Sequence, residues 1–367
     1  MKKIAVVFGG SASEREISII TGTLACNLLR GGSYDVIPLY LHEDGAWFTS
    51  SDFFEIERFR AGTHLKRAKR VLLQSGELFE VVAKGGKLKK LCRLDGALNC
   101  CHGGLGEGGG VSAVFEMQGV PLASPPIAPS AVCMDKAMTK LFAKALNIPV
   151  VDGLRVCEQD YNKRGEFLLK NIARRLKFPV IVKPNRLGSS IGIAVARDEA
   201  EVRAALQSAF ELDDCVVIER FLTDKKDVNC AAYSMDGEVY ISEAEEAFSS
   251  HDEVYGFEQK YIKKEQKSGG RCLLTGSMRQ KIRSYTRTMY KRLNMRGVVR
   301  MDYLVQGDKV YLSEVNTVPG SLAYYLFCDR ISEAKAFFEG LIEEALFEGE
   351  RPKKKLVTTG ILQTVRK

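Results

Sequence analysis

Residues 4–8, Ile-Ala-Val-Val-Phe, are apolar without a break, and Gly9-Gly10 follows them. A run this short, closed by glycine, reads as a first buried strand. A helical pattern begins at Glu14, where Ser13 and Glu16 have the spacing of a capping box. Strand, glycine loop and helix in that order open a doubly wound α/β layer. Residues 35–40 predict the next strand, and 71–91 alternate around Gly76 and Gly85-Gly86, which predicts hairpins. Residues 97–101 form another strand that delivers His102 and the Gly-rich loop 103–110.

A Pro-rich stretch, 121–129, marks a boundary. Beyond it the pattern predicts a helix over 136–146, a strand over 180–183, a glycine loop over 188–192 and a further strand. A helix over 199–210 and a strand over 215–219 follow. The last third holds strands at 228–233 and 239–241, a polar loop over 249–270 and a helix over 277–293. A hairpin over 298–316 and a terminal helix over 332–347 complete it. There is no internal repeat.

Composition narrows the classes. A chain of 367 residues, 45 % hydrophobic and 27 % charged, has material for two or three globular domains, and disorder and collagen-like repetition are excluded. The apolar N-terminal run is too short for a signal peptide, and no stretch approaches the roughly 18 apolar residues of a membrane span. The expectation is a cytoplasmic protein with no membrane partner. The 10 cysteines are dispersed without a CxxC pair and read as reduced, mostly buried thiols. A metal site at Cys100-Cys101-His102 fits poorly, because adjacent side chains at a strand end point to opposite faces. The formal charge of +8 is concentrated at Arg58, Arg60, Lys66, Arg67, Lys69 and Arg70, at Lys84, Lys87, Lys89 and Lys90, and at Lys353-Lys354-Lys355. Without aromatic interleaving or a recognition motif this is a solvated face, not a nucleic-acid surface. The remaining charge suits a polyanionic small molecule such as ATP.

Three segments bear chemistry. In the hairpin, residues 298–305 and 310–316 pair about the turn 306–309, setting Asp302 opposite Glu314 and Arg300 opposite Asn316 on one face. Two carboxylates across a ladder repel unless a cation lies between them, and Asp, Glu and Asn oxygens suit Mg²⁺. A surface hairpin neutralised by Lys309 or Arg300 is the alternative. In the second segment, Lys183 closes a strand before a small-residue loop through Gly188, Ser189, Ser190 and Gly192. Backbone amides of such a loop approach phosphate closely, although a plain hairpin turn explains it equally well. In the third, Glu14 lies at the mouth of the α/β sheet beside Gly9-Gly10-Ser11, as a ligand contact or as a helix-dipole partner.

The ordered set Gly-Gly-Ser-Ala-Ser-Glu-Arg-Glu-Ile-Ser, His-Gly-Gly-Leu-Gly-Glu, Met-Asp-Lys, Val-Lys-Pro-Asn-Arg-Leu-Gly-Ser-Ser, Gln-Lys-Tyr, Arg-Met-Asp and Glu-Val-Asn-Thr-Val-Pro-Gly resembles the D-alanine–D-alanine ligases. The resemblance runs from residue 4 to about 326. It implies an α/β chain, α+β in its ATP-grasp part: a Rossmann-like N-terminal domain at 1–124, a central ATP-grasp lobe at 125–219 and a C-terminal lobe at 220–367. It implies Lys136, Lys183, Ser190 and Lys260 on the nucleotide, a hinge of Glu219, Arg220, Phe221 and Leu222 at the adenine, and Asp227 at the ribose. Asp302, Glu314 and Asn316 match the ligands of two Mg²⁺ ions, with Mn²⁺ an alternative. Glu14 would hold the first D-alanine's ammonium, and His102 would lie near its carboxylate. Arg300 and the Gly320 amide would meet the oxyanion. The loop 249–270 would be a lid whose Tyr261 bonds Ser189 and Glu14 and favours an amine acceptor.

The implied product is D-alanyl-D-alanine for peptidoglycan, made through an acyl phosphate by a protein expected to be a homodimer. D-Serine as acceptor, or a non-catalytic binding paralogue, are the alternatives. The chain departs from the family's pattern at Gly108-Gly109-Gly110, at Ala123-Ser124-Pro125, and at Tyr325-Leu326, where the second substrate's carboxylate is usually held near a serine–leucine pair.

Overall fold

The computed structural model describes residues 1–82, 86–246, 274–352, 355, 357 and 359. The expected lid with Lys260 and Tyr261, and the basic positions Lys84, Lys353 and Lys354, lie outside the described residues.

Eight strands form the N-terminal sheet: β1 (Lys2–Gly9), β2 (Tyr34–Leu41), β3 (Trp47–Thr49), β4 (Lys69–Gln74), β5 (Glu77–Val81), β6 (Leu88–Arg93), β7 (Gly96–Asn99) and β8 (Leu122–Ala123). Their order is β6-β5-β4-β3-β2-β1-β7-β8. The half from β2 to β8 is parallel, and the hairpins expected over 71–91 extend it antiparallel. Helices α1 (Arg15–Leu29), α2 (Ile56–Arg60), α3 (Gly104–Glu107) and α4 (Gly110–Met117) belong to this part. The unbroken apolar run of β1 follows from burial on both sides. Ile4, Val6 and Phe8 pack in the core that α1 shares, while Ala5 and Val7 pack with Val111 and Phe115 of α4.

Two local expectations change here. The Ser13–Glu16 capping box does not form, because α1 starts at Arg15 with Glu14 as its N-cap residue. That shift places Ile17, which has no side-chain acceptor, at the third helical position. The 103–110 segment is also more than a loop, since it holds α3 and the start of α4. Close packing and backbone conformation require the glycines at 108–110. A Cβ on Gly108 would lie 2.8 Å from the Gly104 oxygen, one on Gly110 2.8 Å from the Leu105 oxygen, and Gly109 has φ +99°.

Helices α5 (Ile127–Met134) and α6 (Lys136–Ala145) lead to a second sheet of β9 (Gly153–Cys157), β10 (Val180–Pro184), β11 (Ala194–Ala196) and β12 (Cys215–Arg220). It is antiparallel in the order β11-β10-β12-β9. Val180, Val182, Val216 and Ile218 pack against Leu169 and Ile172 of α7 (Glu158–Leu176) and Val202 and Leu206 of α8 (Glu199–Phe210). Alternation then turns Ile181, Lys183 and Glu219 to the other face. Cys157 and Cys215 are directly opposite in the β9–β12 ladder and form a disulfide, with Cα atoms 4.1 Å apart. This corrects the expectation of reduced thiols throughout. The partners are 58 residues apart, and only the strand register brings them together. Cys26, Cys92, Cys100, Cys101, Cys133 and Cys230 are free and buried.

The third sheet, β14-β13-β16-β17, comprises β13 (Lys226–Met235), β14 (Glu238–Ile241), β16 (Val298–Gln306) and β17 (Lys309–Asn316), with β15 (Glu245–Glu246) beside β13. Val299, Met301 and Tyr303 face Ile282, Met289 and Tyr290 of α9 (Gly276–Arg292), and Cys133, Ala143 and Ile148 join the same core. The segment around α5 and α6 thus packs on this sheet, although it precedes the second one in sequence. On the other side, Phe338 and Leu341 of α10 (Ile331–Glu350) share a core with Ile4 and Val6. Among the described residues no helix is long and apolar enough to cross a membrane.

Candidate active site

The hairpin β16–β17 pairs Arg300 with Asn316 and Asp302 with Glu314, as the alternation predicts. The turn alone does not produce that register. Gln306 pairs with Lys309 and Tyr303 with Leu312, so the same count would place Asp302 opposite Ser313. A bulge between Asp302 and Tyr303 advances the partner by one and brings the two carboxylates face to face.

On that face the Asp302 charge is met by Arg300, as in the neutralised-hairpin alternative. Arg300 grips Asp302 in a bidentate pair, Nε–Oδ1 2.8 Å and Nη2–Oδ2 2.9 Å, and Asn316 Nδ2 donates to Asp302 Oδ2 at 3.0 Å. Glu314 has Lys136 Nζ at 3.9 Å. Burial and then the Asp302 charge push the Glu314 carboxyl above its ordinary value, against the opposing pull of Lys136. Among the described residues no three His, Cys, Asp or Glu side chains gather at one point. The cluster is two carboxylates and an amide, hard oxygen donors that suit Mg²⁺ and leave positions for substrate oxygens and water.

Behind this face a cleft of about 260 Å³ opens between the second and third sheets. Lys136, Lys183 and Ser190 line it, as do Glu219, Arg220, Phe221 and Leu222 of the expected hinge, together with Asp227 and Glu314. Lys136 is the first residue of α6, and its amide donates to the Asn185 carbonyl at 3.0 Å. Its Nζ donates to the Leu187 carbonyl in the glycine loop. Lys183 Nζ lies 3.0 Å from Glu219 Oε2, and Asp227 pairs with Lys225 at 2.5 Å. An apolar cluster of Val151, Leu222 and Leu304 closes one end.

Sequence reasoning does not reach Lys140, one turn along α6 from Lys136. Its ammonium is buried and lies 2.7 Å from Glu219 Oε1, in an ion pair without hydrogen-bond alignment. Two lysines therefore share one carboxylate. Burial alone would raise Glu219, but Lys140 and Lys183 overcome it and hold the group ionised below its ordinary range. Lys140 is itself lowered, by burial first, with Glu219 opposing. The signal in the sequence is the i, i+4 spacing of Lys136 and Lys140, which places both on one helix face.

At the mouth of the N-terminal sheet, Ser189 Oγ donates to Glu14 Oε1 at 2.7 Å, across 175 residues of chain. Glycines make room for this carboxylate: a Cβ on Gly103 would lie 2.4 Å from Glu14 Oε2, and one on Gly188 2.6 Å from Oε1. His102 is buried, and both ring nitrogens are engaged. Nδ1 is 2.6 Å from the Val318 carbonyl and Nε2 is 2.8 Å from Thr21 Oγ1. The expected contact of His102 with a substrate carboxylate has no donor left in this arrangement.

Gly320 opens a 3₁₀ segment, Gly320–Leu326. Arg300 Nη1 donates to the Tyr325 hydroxyl at 3.3 Å, while Leu326 is buried in the N-terminal core. Glu107, from the family-like motif, accepts from the Gly103 and Val318 amides at 3.0 and 3.3 Å. Burial raises its carboxyl to about 7.

The arrangement has counterparts among known proteins. The D-ala D-ala ligase N-terminus family matches residues 3–125, and the D-ala D-ala ligase C-terminus family matches 142–347. The chain is 33 % identical over 337 residues to the D-alanine–D-alanine ligase of Thermosipho africanus, a match that covers 89 % of this chain and 88 % of the relative. The crystal structure of D-alanine–D-alanine ligase from Helicobacter pylori superposes with a TM-score of 0.74 at 26 % identity, covering 96 % of this chain and 100 % of the other. The ligase from Bacillus anthracis complexed with ATP shares the fold, with a TM-score of 0.65 at 22 % identity over 95 % of this chain and 99 % of that one.

Proposed function

This chain belongs to the D-alanine–D-alanine ligase family, and on that premise we propose that it joins two D-alanines, with ATP converted to ADP and phosphate. The observation that carries the reading is the Ser189–Glu14 contact. It ties the loop beside the nucleotide cleft to the Glu14 carboxylate at the mouth of the N-terminal sheet, so a phosphate in the cleft and an ammonium on Glu14 would be neighbours.

ATP enters the cleft between the second and third sheets. The adenine packs on Val151, Leu222 and Leu304, Asp227 meets the ribose, and Lys136 and Lys183 meet the phosphates. Lys183 is held for that task by Glu219, which Lys140 braces from behind. Asp302, Glu314 and Asn316 would hold Mg²⁺, which when bound would offset the charge of the transferring phosphoryl group. The carboxylate of the first D-alanine, its ammonium on Glu14, attacks the γ-phosphorus, the bond to the β–γ bridging oxygen breaks, and an acyl phosphate and ADP result. The amine of the second D-alanine then attacks the acyl carbon, and phosphate leaves. Arg300 and the Gly320 amide face the oxygen on which negative charge develops, and donors fixed before the reaction are worth most there. The Asp302 pair fixes the guanidinium plane of Arg300.

Phosphate release with Mg²⁺-ATP tests this, with D-alanine, L-alanine, D-serine or D-lactate supplied alone or with D-alanine. Release on D-alanine alone, with dipeptide formed, is expected. Release only after D-serine is added would keep the mechanism and change the acceptor, and no release from any pair would refute the reading. Arg300→Ala should lower kcat far more than it raises KM for ATP.

A further inference from the structure

The segment that presents Gly320 has an unusual backbone. Ser321, Leu322 and Ala323 have φ of +51°, +52° and +48°, three successive non-glycine residues in the left-handed region. Each is disfavoured by contact of its Cβ with the carbonyl oxygen, so the turn persists only if its surroundings over-determine it. Inside the turn, the Leu322 amide donates to the Pro319 carbonyl at 2.7 Å. Further hydrogen bonds come from the N-terminal part of the chain. Thr317 Oγ1 donates to the Glu107 carbonyl at 2.9 Å, and the Val318 amide to Glu107 Oε1 at 3.3 Å. The Val318 carbonyl accepts from His102 Nδ1, and the Ser321 amide donates to Thr21 Oγ1 at 3.1 Å.

The direction of every proton in this chain of contacts follows. A carbonyl can only accept, so His102 Nδ1 bears the hydrogen. Burial lowers the imidazole to about 4, so the ring is neutral and Nε2 is an acceptor. Thr21 Oγ1 therefore donates its only hydrogen to Nε2, and its lone pairs receive the Ser321 N–H. Thr21 is fully buried, and His102 and Ser321 are nearly so. The hydroxyl joins α1, the segment after β7 and the left-handed turn through one atom.

We propose that Thr21 is a positioning residue for the ligase reaction: its hydroxyl, held by His102, locks the left-handed turn so that the Gly320 amide points at the developing oxyanion. The inference rests on the assignment of Gly320 to the oxyanion. It also gives His102 a role other than substrate contact. The same helix carries Glu14 at its N-cap, so the ammonium site and the oxyanion donor are referenced to one rigid element.

The test compares Thr21→Val, which keeps the shape and removes the hydroxyl, with Thr21→Ser, which restores it. Thr21→Val should lower kcat by about 10- to 100-fold, the scale of a displaced donor, with KM for ATP within about twofold of wild type. The discriminating readout is a phosphinate analogue of D-alanyl-D-alanine, tetrahedral where the amide is planar. Its affinity should weaken in Thr21→Val by a factor close to the loss in kcat, while affinity for the planar dipeptide holds. Thr21→Ser should recover both to within about threefold. Wild-type kcat in Thr21→Val, unchanged phosphinate affinity, or a Thr21→Ser variant as impaired as Thr21→Val would each overturn the proposal. If Thr21→Val does not fold, Thr21→Ala is read by the same criteria. A wild-type protein that binds the phosphinate no tighter than the dipeptide would instead overturn the Gly320 assignment beneath it.

Discussion

The two titratable groups that hold the 317–321 segment should leave opposite marks on stability. Burial depresses His102 from 6.5 to about 4. The folded state therefore binds fewer protons than the unfolded chain between those values, and stability rises with pH across that window. At ~1.36 kcal/mol per decade of proton affinity, the rise is about 3 kcal/mol. Burial moves Glu107 the other way, from 4.5 to about 7. The folded state binds more protons there, so stability falls as pH climbs through 4.5–7, again by about 3 kcal/mol, an upper bound because the residue is only part-buried. In wild-type protein the two slopes oppose one another over their overlap, and little pH dependence from this pair is visible.

Single substitutions should separate them. Urea unfolding at half-unit steps from pH 4 to 7.5 would be run on wild type, His102→Gln and Glu107→Gln. The wild-type minus His102→Gln difference should grow by about 3 kcal/mol from pH 4 to 6.5, and the wild-type minus Glu107→Gln difference should shrink by up to that amount from 4.5 to 7. Subtraction removes every other group that titrates equally in both proteins. A His102 difference that stays level with pH would refute the argument, because the imidazole would then protonate as readily folded as unfolded.

Three further outcomes follow from the same geometry. Glu314→Gln should cut dipeptide synthesis by at least about 100-fold at saturating ATP, yet leave metal-free thermal stability equal or higher, because it relieves the Asp302–Glu314 repulsion; a drop in both would point to a structural role. Lys140→Met should cost up to about 3–5 kcal/mol in urea unfolding, at the low end because Lys183 still neutralises Glu219, and should raise KM for ATP; a fully stable variant with unchanged KM would remove the bracing role. Reducing the Cys157–Cys215 bond, which closes a loop of 58 residues, should destabilise the second sheet by up to about 4 kcal/mol, read as a lower unfolding midpoint with reductant that a Cys157→Ser variant no longer shows.

What the sequence makes legible divides along a physical line. Strand β1, helix α8, the hairpins of the N-terminal sheet and the β16–β17 hairpin are all visible, because period-2 and period-3.6 burial leave their mark on neighbouring residues. Helix α7 is absent from the sequence pattern, since it is kinked at Arg164 and has only Leu169, Ile172 and Leu176 buried. The pairing of Asp302 with Glu314 is foreseen, but the bulge that produces it is a property of the assembled sheet. The disulfide and the packing of α5 and α6 on the third sheet depend on partners distant in sequence, and no local pattern encodes them.

The candidate site divides in the same way. Residues that touch a charged ligand advertise themselves, because a lysine at a strand end, a small-residue loop or paired carboxylates are costly to place without a purpose. Residues that aim them do not. Thr21 reads as an ordinary threonine inside a helix, yet it lies on the buried stripe of α1 with Ser18, Gly22, Ala25 and Leu29. A small hydroxyl on the apolar face of an amphipathic helix is itself a signal, since a buried polar atom must find partners. Ser18 obeys the same rule, receiving the Gly9 amide and donating to the Cys100 carbonyl, both at 2.7 Å. The polar residues on the inner stripe of α1 thus pin the strand ends and turns around the site, and their exchange for alanine or valine should disturb geometry before it disturbs binding.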